Sequence, residues 1–123
     1  MNILLIDDDQ AVLKSVGQFL SARSHCIRTA SDGAEALCLM NGDPPDLVVS
    51  DIQMPGMDGI AFLKAVRERF ADLPVILMTG NATVETAVAA LRGRAYDYLR
   101  KPVQIEELQA CIERVSGDNA PER

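Results

Sequence analysis

A parallel β-sheet covered by helices on both faces is the fold this sequence predicts, on three observations. Five short apolar runs alternate with five stretches of helical periodicity. Several runs are apolar on consecutive residues, the pattern of strands buried on both faces. The length of 123 residues, 48% of them hydrophobic, gives room for one domain with a real core.

The elements follow in order. Ile3 to Ile6 is a strand that runs into Asp7-Asp8-Asp9, and Val12, Val16, Phe19 and Leu20 then share one helical face. Cys26 to Ala30 is the second strand. The helix after it, Ala34 to Met40, is short and weakly patterned, with Ser31 as its expected cap and Asp43-Pro44-Pro45 as its stop. Leu47 to Val49 is the third strand, followed by the stripe Ile60, Leu63 and Val66. Val75 to Met78 is the fourth; Thr83 caps a helix carrying Val84, Ala87, Val88 and Leu91. Tyr96 to Leu99 is the fifth, and Ile105, Leu108, Ile112 and Val115 form the last stripe. From Ser116 the period is lost among Gly, Asn and Pro. Residues 1–116 are therefore assigned to the domain and 117–123 to a tail or the start of a linker.

Composition narrows the function. Twelve basic against 18 acidic residues give a net charge of −6, which argues against nucleic-acid binding through a broad basic face. Cys26, Cys38 and Cys111 are odd in number and far apart, so neither a disulfide framework nor a metal clip follows from them. They are expected as small buried residues in a reducing compartment. No apolar stretch approaches the ~20 residues of a membrane span, and no signal peptide is legible. A soluble cytoplasmic protein is the expectation. His25, in a polar stretch, reads as a surface residue.

In a parallel sheet of this kind, ligands bind at the carboxyl ends of the strands. Those ends carry Asp7-Asp8-Asp9, Ser50-Asp51, Thr79-Gly80-Asn81 and Arg100-Lys101-Pro102. Two carboxylates ~4 Å apart repel by about 4 kcal/mol at an effective dielectric near 20. Asp7, Asp8 and Asp51 together exceed what the single ammonium of Lys101 can neutralise. A divalent cation with hard oxygen ligands relieves them, and Mg²⁺, which keeps waters that a phosphate can replace, fits that need. Helix capping alone accounts for only one acid of the run. A hydroxyl, an ammonium and a metal can surround the oxygens of one phosphoryl group, which makes Asp51 a candidate nucleophile.

These residues resemble the response-regulator receiver domains of two-component signalling systems, and the chemotaxis-regulator-like members among them. The likeness runs from Asn2 to about Ser116. It is carried by Ile6-Asp7-Asp8, by Pro45-Asp46-Leu47-Val48-Val49-Ser50-Asp51-Ile52-Gln53-Met54-Pro55-Gly56-Met57-Asp58-Gly59, by Thr79-Gly80 and by Asp97-Tyr98-Leu99-Arg100-Lys101-Pro102. The resemblance implies a flavodoxin-like (βα)5 three-layer sandwich whose five parallel strands lie in the order 2-1-3-4-5. It implies a signalling domain rather than an enzyme, one that assists its own phosphorylation and dephosphorylation. Asp51 would accept a phosphoryl group from a sensor histidine kinase or a phosphotransfer protein. Asp8 and Asp51, with the backbone carbonyl of Gln53, would hold Mg²⁺ (Mn²⁺ as a substitute), Asp7 acting largely through water.

The same resemblance assigns Thr79 and Lys101 to the phosphoryl oxygens and Tyr98 to a switch aromatic that turns inward as Thr79 moves. It also implies a cis bond between Lys101 and Pro102. The changed surface of the fourth helix, fifth strand and fifth helix would control an output domain or partner, transcription being the expected output. Phosphorylation-linked homodimerisation is a further implication; direct nucleic-acid or membrane binding by the domain is not. Gln53 and Asn81 stand where the family tunes phosphoryl lifetime.

Two departures stand out. Arg94-Ala95 precede Tyr96, with the glycine at Gly93 where relatives often carry it one residue later. Either the helix ends one residue early or Arg94 holds a strained turn. Val103 follows the proline where Phe is frequent. Asp7-x-Asp9 with Thr79 and Lys101 also superficially suits a haloacid-dehalogenase-like phosphatase. That family would phosphorylate Asp7 rather than Asp51, so mapping the modified residue separates the two.

Overall fold

The computed structural model describes residues 1–118, so most of the expected 117–123 tail lies outside the described residues. Strands β1 (Asn2–Ile6), β2 (Cys26–Ala30), β3 (Leu47–Asp51), β4 (Val75–Thr79) and β5 (Asp97–Arg100) alternate with α1 (Gln10–Ser21), α2 (Gly33–Met40), α3 (Gly59–Arg69), α4 (Val84–Arg92) and α5 (Ile105–Asp118). All pairings are parallel and the order is β2-β1-β3-β4-β5.

Alternation along each strand splits the core into two layers. Leu4, Ile6, Val48 and Leu77 pack with Ala36, Met40, Phe62, Leu63, Val66 and Ala90 of α2, α3 and α4. Ile3, Leu5, Val49, Ile76 and Met78 pack with Leu13, Leu20, Leu108, Ile112 and Val115 of α1 and α5. Both faces of β1, β3 and β4 are therefore dry, which explains their unbroken apolar runs. Each fully buried Leu or Ile contributes roughly 1.5–3 kcal/mol.

Helix starts are set by side-chain caps. Asp9, Asp32, Asp58 and Thr83 accept from the backbone N–H of Ala11, Glu35, Ala61 and Thr86, each worth ~1 kcal/mol. The cap of α2 is thus Asp32, not Ser31. The extended Asp32 stands immediately before Gly33, the first helical residue, and Ser31 instead donates its N–H to Glu35 Oε1 (2.6 Å). The cysteine expectation also needs correcting: Cys111 is buried, but Cys26 and Cys38 are exposed. Cys26 opens an edge strand, and Cys38 stands on the outer side of α2.

At the end of α4 the strained turn is the one realised. The helix ends at Arg92, Gly93 follows at an ordinary φ of −79°, and Arg94 takes the left-handed conformation at φ 60°. The glycine serves packing instead of backbone freedom, because a Cβ on Gly93 would lie 2.5 Å from Leu63 Cδ2. Arg67 of α3 braces this corner. Its guanidinium donates to the carbonyls of Gly93 (3.1 Å), Phe70 (3.3 Å), Leu73 (2.7 Å) and Arg94 (2.9 Å).

Candidate functional site

The carboxyl ends of β1, β3, β4 and β5 form one edge of the sheet, and register places their terminal residues side by side. Ile6 pairs with Ser50, Asp51 with Met78, and Thr79 with Arg100. Asp7 and Asp51 therefore emerge on adjacent strands, and both are buried: Asp7 is 0% and Asp51 4% exposed. Asp8, one residue further, is exposed. One carboxylate oxygen from each of Asp7, Asp8 and Asp51 lies within 4.8 Å of the others.

Lys101 crosses to this cluster from the end of β5. Its Nζ lies 2.7 Å from Asp7 Oδ2 and 3.2 Å from Asp51 Oδ2. The strand end is fixed by Lys101 N–H donating to the Thr79 carbonyl (2.7 Å), and the Lys101–Pro102 bond is cis. Asp7 Oδ1 accepts from the N–H of Asp9 (2.9 Å), and Asp51 Oδ1 from that of Gln53 (3.2 Å).

Burial, and then the nearby charge of Asp7, push the Asp51 carboxyl above its ordinary range, against the pull of Lys101 and the Gln53 N–H. For Lys101, burial alone lowers the pKa, but the hydrogen bond it donates to Asp7 and the charges of Asp51 and Asp7 outweigh it, so the pKa is raised. Three carboxylates, two of them buried, thus face one ammonium. All the donors are hard oxygens, so the residues present suit a hard divalent cation such as Mg²⁺.

The acceptor loop is held by close backbone approach. Gly59 N–H donates to the Ile52 carbonyl (2.8 Å), and Ile52 N–H to that of Met78 (2.8 Å). A Cβ on Gly59 would lie 2.5 Å from the Asp51 carbonyl oxygen and 2.7 Å from Ile52 Cα. Only glycine lets α3 begin against the strand end that carries Asp51. Gly59 is the last residue of the segment that begins at Pro45, and its sequence context alone gives it no separate role.

Thr79 is 1% exposed. Its Oγ1 donates to Gln53 Oε1 (2.9 Å) and accepts from the N–H of Asn81 (3.0 Å). Tyr98, half-buried, stands on β5 with its hydroxyl 2.6 Å from Thr86 Oγ1. Thr86 is a further residue that the sequence reading passed over; its place three residues after the cap Thr83 was the available signal. His25 lies at the amino end of β2, with Nδ1 3.1 Å from the Met1 amino nitrogen.

The family model described as "Response regulator receiver domain" matches residues 3–113. The chain belongs to the response-regulator receiver domain family. Response regulator MprA of Mycobacterium sp. (strain KMS) is 39% identical over 99% of this chain and 55% of its own length. The DNA-binding transcriptional regulator NtrC of Escherichia coli (strain K12) is 39% identical over 91% of this chain and 24% of its own length. The receiver domain thus spans about half of the one relative and a quarter of the other.

Among solved structures, the chemotaxis protein CheY4 of Vibrio cholerae superposes with a TM-score of 0.87 at 30% identity, covering 93% of this chain and 97% of that one. NtrX from Brucella abortus gives 0.87 at 36% identity, over 95% of this chain and 27% of that one. The fold is therefore flavodoxin-like, as in CheY-like receivers. A receiver domain is a signalling module of two-component systems, and such domains generally bind Mg²⁺. Among the described residues, no helix is long and apolar enough to cross a membrane.

Proposed function

We propose that this receiver domain is a phosphorylation-dependent switch in which Asp51 accepts a phosphoryl group from the phosphohistidine of a sensor kinase or phosphotransfer protein. A carboxylate oxygen of Asp51 attacks phosphorus, the P–N bond breaks, and the imidazole nitrogen leaves with the electron pair and takes up a proton. The single observation that carries the reading is the position of Asp51: buried at the strand edge, 3.2 Å from Lys101 Nζ and grouped with Asp7 and Asp8.

Each neighbour has a role in this reading. Lys101, now shared between Asp7 and Asp51, is near enough to follow the charge onto the phosphoryl oxygens. The Thr79 hydroxyl turns to donate to one of those oxygens, and Tyr98 moves inward behind it, changing the α4, β5 and α5 surface. Asp8, Asp51 and the Gln53 carbonyl would hold Mg²⁺, or Mn²⁺ in its place, with Asp7 acting largely through water; bound there, it would offset charge on the transferring group.

The domain so read is a phosphoacceptor and not an enzyme, working in the cytoplasm within a longer regulator or with a separate partner. The relative named as a DNA-binding transcriptional regulator favours transcription as the output, with homodimerisation as a further consequence of phosphorylation. The test is incorporation of phosphate from acetyl phosphate with Mg²⁺, followed by mapping of the modified residue. Label is expected on Asp51 and lost in Asp51→Asn. Undiminished labelling of that variant, or label on Asp7, overturns the proposal.

A further inference from the structure

We propose that the Gln53 side chain is a latch on the Thr79 hydroxyl, so that Gln53 is a positioning residue which biases the switch toward its unphosphorylated form. The inference rests on the phosphoacceptor reading of Asp51 and extends it to a side chain that the reading does not use.

The hydroxyl of Thr79 has one proton to give. In this structure the Asn81 N–H already donates to Oγ1, at 3.0 Å, and Oγ1 donates in turn to Gln53 Oε1 at 2.9 Å. The proton that a phosphoryl oxygen must receive is therefore committed to the glutamine. Thr79 is 1% exposed, so water is a poor substitute partner for its hydroxyl once Oε1 is removed. The glutamine itself is exposed at the mouth of the site, where its side chain can be changed without loss of core packing. Its backbone carbonyl, the group assigned to the metal, is untouched by such a change.

Releasing Thr79 from Gln53 is part of every transition to the phosphorylated form. Removing the acceptor destabilises the resting form selectively and raises the apparent affinity for a phosphoryl analogue. One neutral hydrogen bond lost from a buried donor corresponds to about fivefold. A glutamine that acted only by obstructing the mouth of the site would give an effect independent of the Thr79 hydroxyl.

The experiment titrates fluoroberyllate, with saturating Mg²⁺, into the wild-type domain, Gln53→Met, Thr79→Val and the double variant. Gln53→Met keeps the length of the side chain and loses the acceptor. Thr79→Val keeps the shape and loses the donor, and Thr79→Ala replaces it should the valine variant not fold. Gln53→Met is expected to tighten binding about fivefold in the wild-type background and to leave it unchanged where the hydroxyl is absent. Unchanged or weaker binding by Gln53→Met overturns the latch, as does equal tightening in both backgrounds. Asp51→Asn separates the two readings. If it binds fluoroberyllate as the wild type does, the phosphoacceptor assignment fails and the latch with it; if it does not bind, a negative Gln53 result counts against the latch alone.

Discussion

The Tyr98 hydroxyl lies 2.6 Å from Thr86 Oγ1, and this contact ties β5 to the first turn of α4. Thr86 is itself half of a reciprocal cap. Its N–H donates to Thr83 Oγ1 (3.0 Å), and its Oγ1 accepts from the Thr83 N–H (3.2 Å). The placement of the Tyr98 hydroxyl and the start of α4 are therefore one hydrogen-bond network, not two local features. Tyr98→Phe is expected to lower stability by about 1 kcal/mol and to speed amide exchange at 84–87. Exchange at those amides that matches the wild type would show that the helix start is indifferent to Tyr98.

Gly59→Ala is expected to cost about 1–3 kcal/mol in chemical denaturation, because the new methyl meets backbone rather than a yielding side chain. The same shift moves the strand end that carries Asp51, so phosphate uptake from acetyl phosphate should fall as well. A variant with native stability and native uptake would contradict the contact at 2.5 Å.

Arg94→Gly should stabilise the domain by about 1 kcal/mol. The left-handed φ of 60° is unfavourable for a residue with a Cβ and neutral for glycine. The carbonyl that accepts from Arg67 is backbone and survives the change. A thermal melt that moves downward would mean that the arginine side chain contributes more than its conformation costs.

Asp97 gives the domain an acid limb. Burial alone would raise its carboxyl, but the Cys111 thiol (3.0 Å), the Tyr98 N–H (2.8 Å) and Arg114 (2.7 Å) outweigh it, and the pKa is lowered. Stability from this group is complete above the ordinary carboxyl value of about 4 and is lost as pH falls from there through the lower folded value. Its side chain is 33% exposed, so solvent screening keeps the contribution modest. Asp97→Asn should flatten the stability profile below pH 4 without steepening it above. An unchanged acid limb would remove Asp97 from that account.

The same cluster governs thiol chemistry. Burial first, then Asp97, pushes the Cys111 thiol up to about 12. At neutral pH iodoacetamide should label Cys26 and Cys38, which are exposed, and reach Cys111 only on unfolding. Rapid labelling at Cys111 in the native domain would be the contrary result.

Much of this molecule was legible in the sequence because its information is local. Unbroken apolar runs at Ile3 to Ile6 and Val75 to Met78 reflect coverage on two faces, and parallel strands bring their carboxyl ends to one edge whatever lies between. The convergence of Asp7, Asp51, Thr79 and Lys101 follows from that geometry. What was hidden depends on approach between distant segments. Gly59 and Gly93 look alike in sequence, yet one clears the Asp51 carbonyl and the other clears Leu63. Ser31 and Asp32 are both good caps, and the choice turned on a single residue of register. The bonds from Thr79 to Gln53 and from Tyr98 to Thr86 join residues 26 and 12 positions apart, and no periodicity encodes them. Strand β5 runs Asp97–Arg100 rather than Tyr96 to Leu99, because Thr79 pairs with the polar Arg100 at its end.

The guanidinium of Arg67 joins the end of α3, the approach to β4 and the turn after α4 at four carbonyl oxygens, on the side of the sheet remote from Asp51. The opposite end of α4 leans on β5 through Tyr98 and Thr86. One extremity of that helix is bolted and the other merely hooked. Any travel of α4 is therefore expected to resemble that of a hinged door, small beside Gly93 and widest toward Thr83.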